Sequence, residues 1–387
     1  MRILHTSDWH LGRTLHSVDL LDAQRDVLDQ ICRLVSDPIG GVGVDAVVVA
    51  GDVYDRAVPP VEAVLLFADT LTELTRHTTV IVTAGNHDSA IRLGFGAELF
   101  THRLQMCTGL ESVGTPVLLD DVAIYPVPYL DPDLARTRLA TDAEPLERSH
   151  QSVMAAAMDR VRADLAGRAE NVRSIVVAHA FVVGGTGSES ERSIQVGGVD
   201  SVAVDTFDGV DYVALGHLHG AQQPASRSGT VLRYCGSPLR YSFSELNQQK
   251  SVTLVDLDEG GVRIQAVPLR QPRAMADLSG RLAELLSDPA HGRHRLDWVR
   301  VVVTDRCRPD QLFDRIRSRF PHVLQVMHAP DGVEQLGGRF MVPAEPSPRD
   351  LGAEFIREVT GLDADPGELD LFEAAYCEAV VEVGRTQ

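Results

Sequence analysis

The stretch Thr79-Val80-Ile81-Val82-Thr83-Ala84-Gly85-Asn86-His87-Asp88-Ser89 decides how the first half of the chain is read. A β-branched run stops abruptly, and Gly, Asn, His and Asp crowd the turn that follows. Those turn residues are favoured for backbone reasons alone, so the stretch by itself leaves a plain turn and a functional one both open. Four other places repeat the pattern. Arg2–Ser7 runs into Asp8-Trp9-His10, and Val44–Ala50 runs into Gly51-Asp52. Ser174–Ala178 leads to His179, and Tyr212–Leu215 leads to Gly216-His217-Leu218-His219.

Continuous Val/Ile/Ala runs of this length mark strands buried on both faces. Helical stretches lie between them, Ala23–Val35 and Val61–Leu74 among them. Strand alternating with helix predicts an α/β core with helices packed on a sheet, and in such sheets ligands bind at the strand ends. Each motif alone has a plain reading as a turn or a packed histidine. His217 and His219 say more, because residues two apart point the same way in an extended chain. Taken together, five strand ends deliver His, Asp and Asn to one rim. Imidazole, carboxylate and amide oxygen suit first-row divalent cations such as Mn²⁺, Fe²⁺ or Zn²⁺. No thiolate sits in any motif, which argues against a structural zinc site. The donors are too many for one ion. Paired metals roughly 3.5–4 Å apart, bridged by a carboxylate, are a device for phosphate ester hydrolysis.

Composition sets limits on partners. The chain has 387 residues and a formal net charge of −19, which opposes nucleic acid binding unless local basic patches or bound cations intervene. Residues 344–387 hold eleven acidic and three basic residues, whereas 225–275 hold seven basic and four acidic. Two divalent cations in a cleft would make its floor locally positive. Of the 36 cationic residues, 35 are Arg and one, Lys250, is Lys. The cysteines Cys32, Cys107, Cys235, Cys307 and Cys377 are odd in number and form no CxxC pair, as expected of free thiols in a reducing compartment. No run approaches the ~18 apolar residues of a membrane span, and the N-terminal residues lack a signal-peptide pattern. The expectation is a cytoplasmic protein with no membrane partner.

In order along the chain, D-x-H, G-D, G-N-H-D, H and G-H-x-H resemble the motifs of calcineurin-like metallophosphoesterases. Within that superfamily the chain is similar to the SbcD-type nucleases of bacterial double-strand-break repair. The similarity rests on HTSDWHLGR (5–13), VAGDVYDR (49–56), GNHDS (85–89), AHAFVVGG (178–185), SESER (188–192), YVALGHLHG (212–220) and YCGSPLRYSFSE (234–245). It covers residues 1–270 strongly and the remainder loosely. The resemblance implies that Asp8, His10 and His219 hold one metal, that Asn86, His179 and His217 hold the other, and that Asp52 bridges them. It implies two divalent ions, Mn²⁺ in the first place. His87 would face the scissile phosphate, where it would stabilise the transition state or protonate the leaving 3′-oxygen. Asp88 would orient His87, and Gly85 would let the backbone turn.

The implied architecture is a two-sheet core flanked by helices over residues 1–270, an α/β capping domain over 271–343 and a helical tail over 344–387. Beyond the core, the pattern predicts a helix over Leu278–Leu286, a strand over Trp298–Val303, a helix over Pro309–Phe320 and a strand over Val323–Met327. The tail reads as two amphipathic helices. One starts at Ser347-Pro348 with Leu351, Phe355, Ile356 and Val359 on one side. The other starts at Asp365 with Leu369, Phe372, Tyr376 and Val380 on one side. By resemblance the tail docks on an SbcC-like SMC-type ATPase, and Val61–Leu74 with Ile91, Leu93, Phe95, Leu99 and Phe100 pairs two subunits into a homodimer. The implied activity is 3′–5′ exonuclease action on double-stranded DNA ends, with endonuclease action at hairpins or single strands, in nucleoid-associated repair and recombination. A metallophosphatase for nucleotides or phosphoproteins shares the five motifs, and a non-catalytic DNA tether is the third reading.

Overall fold

The computed structural model describes residues 1–36, 43–100, 102–141, 144–169, 172–191, 201–330, 352–357 and 364–383. The β-branched runs form two sheets. The first has six strands in the order Gly261–Pro268, Ser251–Asp258, Arg2–Thr6, Ala46–Ala50, Thr79–Thr83 and Leu104–Met106. Its last four strands are mutually parallel, and the Ser251–Asp258/Gly261–Pro268 hairpin closes one edge antiparallel. The second sheet has five strands, Val231–Tyr234, Tyr212–Gly216, Arg173–His179, Val122–Val127 and Val117–Leu119. All but the last are parallel.

Side-chain alternation explains why these runs are apolar throughout. In the Ala46–Ala50 strand, Ala46, Val48 and Ala50 face an interlayer shared with Ile124, Ile175, Val177, Tyr212 and Ala214 of the second sheet. Val47 and Val49 point the other way, onto the helices Leu21–Ser36 and Val61–His77. The second sheet is covered on its outer face by Pro132–Arg138 and His150–Ala166, through Ala135, Val153, Ala157, Met158 and Val161. The result is a four-layer helix–sheet–sheet–helix core, the two-sheet architecture that the resemblance implied. Small residues thin the interlayer toward the rim. A Cβ added at Gly216 would lie 1.9 Å from the Ala50 carbonyl oxygen of the facing sheet.

The segment after the core differs from expectation at its start. Met275–Gly280 is a strand, not part of a helix, and the helix is limited to Leu282–Ser287. Leu278, Leu282, Leu285 and Leu286 carry helical spacing, but residues 275–280 pair in register with Trp298–Val303, so the ladder overrides the local pattern. With Val323–His328 they make a parallel three-stranded sheet. Val299, Val301 and Val303 pack under Leu285, Leu312 and Ile316 of the two crossover helices. This unit meets the core through Met275 and Trp298, which pack with Leu20, Val27, Tyr241 and Phe243.

Met1–Ala329 form one compact unit and Pro330–Gln387 a second. The expected boundary at 343/344 and the Ser347-Pro348 helix start lie outside the described residues. The later tail helix spans Pro366–Val383. Its start is a capping box: Asp365 Oδ1 accepts from the Gly367 and Glu368 N–H groups, and Glu368 Oε2 accepts from the Asp365 N–H. Val61, Val64, Leu65, Ile91, Phe95, Leu99 and Phe100 are all exposed, whereas Leu93 is buried. Among the described residues no helix is long and apolar enough to cross a membrane.

Candidate metal centre

The ends of five strands meet at one rim. The loops after Arg2–Thr6 and Ala46–Ala50 run side by side, with Asp8 N–H donating to Gly51 O at 3.1 Å, His10 N–H to Asp52 O at 3.0 Å and Leu11 N–H to Val53 O at 2.9 Å. This pairing forces unusual backbone. Asp8, His10 and Asp52 have φ of 54°, 45° and 51°, and His217 has φ of 106°. Each such residue stores on the order of 1–3 kcal/mol of strain, which the loop packing must hold.

The side chains converge as the spacing promised. Asp8, His10 and His219 bring ligand atoms within 4.8 Å of one another, and so do Asp8, Asp52 and His179. Asn86 Oδ1 lies 2.9 Å from His179 Nε2 and 3.2 Å from His217 Nδ1. Asp52 Oδ2 stands between the two groups, 3.6 Å from His10 Nε2 and 3.4 Å from His179 Nε2. Except for half-buried Asn86, all of these residues are buried.

Several features fit this constellation to divalent cations. His10 Nε2 and His219 Nε2 face each other at 3.0 Å, while Nδ1 of His10 and Nδ2 of Asn86 are buried with no hydrogen-bond partner among the described residues. The other ring nitrogens are held from behind. His179 Nδ1 donates to Ala50 O at 2.9 Å, and His219 Nδ1 lies 3.1 Å from Glu245 Oε1. Such contacts fix the tautomer and aim the remaining lone pair at a metal. The carboxylates are held by donors. Asp8 Oδ1 accepts from His217 N–H at 2.9 Å, and Asp8 Oδ2 accepts from Ser7 Oγ–H at 2.5 Å. Asp52 Oδ1 accepts from His87 N–H at 2.9 Å.

Burial and neighbouring charge set the protonation states. Burial pushes Asp8 up to about 6, against the opposing pull of His179 and His219. Burial would raise Asp52 too, but His179, with His10 and His87 behind it, holds it well below the usual carboxylate range. Burial would lower His179, yet the adjacent Asp52 carboxylate lifts it to about 9. Burial drives His10 well down and His217 to about 3, leaving neutral imidazoles. A dication that takes His179 Nε2 must displace the proton Asp52 favours there.

The structure corrects two details at the Gly85–Ser89 turn. Asp88 makes no hydrogen bond to His87. Its Oδ2 accepts from Gly85 N–H at 2.9 Å and from Val53 N–H at 3.1 Å, and its Oδ1 accepts from Tyr54 N–H at 2.9 Å. Three backbone donors outcompete a flexible ring for a carboxylate, so Asp88 ties the third loop to the second. Burial, with Asp52 adding, raises Asp88 to about 7. His87 is positioned instead by its Nδ1, which donates to the Asp55 carbonyl at 2.7 Å, and its ring meets that of His10 at 4.6 Å. Gly85 is required by close approach rather than by a left-handed turn, since an added Cβ would sit 2.1 Å from Asp52 Oδ1.

Residues outside the expected ligand set complete the surroundings. Asp55 Oδ1 lies 3.7 Å from His10 Nδ1 and 3.6 Å from Arg13. Arg13 Nη2 donates to Ser190 O at 2.8 Å, and its guanidinium lies 5.1 Å from the Tyr241 ring centroid. Glu191 Oε1 accepts from His219 N–H at 2.8 Å, and Glu245 is fully buried behind the His219 ring. The signal for Glu191 and Glu245 was present only as the segments SESER and YCGSPLRYSFSE, with nothing local to tell an inward carboxylate from a solvated one. Trp9 packs on Phe67 and donates Nε1–H to Thr6 Oγ1 at 2.9 Å.

A model of the calcineurin-like phosphoesterase family matches residues 1–221, more than half of the 387 residues, and the chain belongs to that family. It is thus a metal-dependent phosphoesterase of a family that uses two divalent ions, with Asp and His clusters able to bind them.

Proposed function

We propose that this phosphoesterase is an SbcD-like nuclease subunit that hydrolyses DNA phosphodiester bonds at double-stranded ends and hairpins. One observation carries the reading. The segments by which the chain resembles those nucleases beyond the shared family motifs, Ser188–Glu191 and Tyr234–Glu245, are the ones that close around His219. A small-molecule phosphatase needs the rim but not these additions, nor the three-stranded unit that follows the matched residues.

In this reading Asp8, His10 and His219 hold one ion, Asn86, His179 and His217 hold the other, and Asp52 bridges. When bound, the ions, Mn²⁺ in the first place, activate water and neutralise the phosphoryl oxygens. His87 supplies the proton for the leaving oxygen: its Nδ1–H is fixed on the Asp55 carbonyl, which leaves Nε2 for transfer. Asp88 holds the loop that carries His87. The exposed apolar row from Val61 to Phe100 supports a homodimer, which Phe95→Glu would weaken in sedimentation. The tail helices, with Phe355 and Leu371 exposed, are proposed to dock on an SbcC-like ATPase, so deleting 347–383 should end co-purification while leaving Mn²⁺-dependent cleavage.

The deciding experiment is digestion of end-labelled duplex with Mn²⁺, with and without the ATPase, beside p-nitrophenyl phosphate. The nuclease reading expects duplex shortening. Turnover of the small ester alone would leave a metallophosphatase.

A further inference from the structure

The chain's single lysine, among 36 cationic residues, is buried beside the metal centre. Lys250 Nζ lies 2.6 Å from Glu245 Oε2, 2.8 Å from Gln248 Oε1, 2.9 Å from Ser237 Oγ and 2.9 Å from the His219 carbonyl oxygen. Four oxygens surround one point. The three N–H donors of a compact ammonium rotate to reach such closely spaced oxygens, whereas a planar guanidinium spreads its donors along a fork. That difference gives a physical reason for lysine here in a chain that uses Arg everywhere else.

We propose that Lys250 is a positioning residue for the metal ligand His219, acting through Glu245. The ammonium fixes one carboxylate oxygen of Glu245, and the other, Oε1, is thereby aimed at His219 Nδ1, 3.1 Å away. Ser190 Oγ bridges the same pair, 2.6 Å from Nδ1 and hydrogen-bonded to Oε1. Lys250 also holds His219 from its backbone side, where the carbonyl accepts from Nζ and from Ser237 N–H at 3.1 Å. With Glu191 on its N–H, every polar atom of His219 except Nε2 is engaged by protein groups behind it. Close packing on that carbonyl leaves no slack, since an added Cβ at Gly236 would sit 2.6 Å from it. Glu245 in turn needs Lys250, because a buried carboxylate without a counter-charge is strongly unfavourable. The inference rests on His219 being a ligand and holds whichever phosphoester is cut.

The test is calorimetric titration of Mn²⁺, with melting curves with and without Mn²⁺, on the full chain and on Lys250→Met, Glu245→Gln and His219→Gln. Expected is a roughly 10–100-fold weaker Mn²⁺ affinity at one of two sites in both Lys250→Met and Glu245→Gln, with the other site kept and a smaller Mn²⁺-induced rise in Tm. A merely structural lysine would lower Tm equally with and without Mn²⁺ and leave both affinities as they were, which overturns the proposal. Should Lys250→Met not fold, Glu245→Gln keeps the shape and decides alone. If His219→Gln weakens one site and Glu245→Gln weakens neither, positioning is wrong and the metal centre stands. If His219→Gln leaves both affinities unchanged, ligand assignment and proposal fall together.

Discussion

The two sheets bring unlike chemistry to one rim. The sheet built on Arg2–Thr6 supplies Asp8, Asp52, Asn86 and one imidazole, His10. The sheet built on Arg173–His179 supplies imidazoles alone, His179, His217 and His219. Each orients the other. Asp8 of the first accepts the His217 N–H of the second, and His179 of the second donates to Ala50 O of the first. A carboxylate needs donors and an imidazole needs an acceptor to fix its tautomer, and for Asp8 and His179 the backbone of the opposite half supplies one. The lesson is that the centre lies at the interface between the sheets, and the expectation that follows is that metal binding depends on how the sheets pack.

Four tests probe that arrangement. The largest effect is expected of Asp52→Asn, which removes the charge standing between the two groups. Its activity should fall by at least the roughly 10²–10³-fold that a single preorganised electrostatic group contributes, with circular dichroism unchanged; near-normal Mn²⁺-dependent cleavage would show that Asp52 is not the bridge. Next comes a contrast across the interface. His87→Gln should lose roughly 10²–10⁴ in rate yet titrate two Mn²⁺ normally, while His217→Gln should lose metal. Equal metal loss in both variants would make His87 a ligand.

The third concerns His5, which shares a 2.9 Å hydrogen bond with the Tyr212 hydroxyl across the interlayer. Burial lowers His5 to about 3 from an ordinary 6.5. Between those values the unfolded chain binds a proton that the folded chain refuses. Stability from His5 is therefore complete above pH ~6.5 and is lost as pH falls toward ~3, up to roughly 5 kcal/mol. Denaturant melts of the natural chain and of His5→Leu across this range should converge as pH falls, and parallel curves would remove His5 from the account. The smallest effect is expected of Gly216→Ala. Its new methyl meets the Ala50 carbonyl, and overpacking of this kind costs about 1–3 kcal/mol. If the sheets are coupled to the centre, Mn²⁺ affinity should fall together with Tm, and a drop in Tm alone would break the link.

Much of this was legible in the chain. Strands buried on both faces announce themselves as Val/Ile runs, and Asp8, His10, Asp52, Asn86, His179, His217 and His219 stand where those runs stop, so the elements and the candidate ligands that meet at the rim are legible together. Less visible was the outer layer on the second sheet. His150–Ala166 mixes Val153, Met154, Met158 and Val161 with Arg and Asp, a weak stripe that gains meaning only against Tyr125 and Phe207. The Met275–Gly280 strand was hidden by leucines at helical spacing, and only its pairing partner decides it. Asp88 was misjudged because sequence adjacency to His87 suggested contact, whereas its partners Val53 and Tyr54 come from another loop. Glu245 and Asp55 acquire roles through proximity across the fold, which no local pattern encodes.

The left-handed backbone of Asp8, His10, Asp52 and His217 has a consequence for how substitutions at this rim are interpreted. Each position imposes two demands at once, a donor atom and a conformation that few residues tolerate. Glycine meets the second and fails the first; glutamate or glutamine offers a donor but neither the reach nor the backbone. Only asparagine, which is at home in the left-handed region, stands in for aspartate on both counts. Asp8→Asn and Asp52→Asn therefore report on charge with the loop undisturbed. At His10 and His217 glycine or asparagine keeps the backbone but loses the imidazole, and every other replacement strains the loop as well, so a saturation scan should find no substitute at either position that retains full activity.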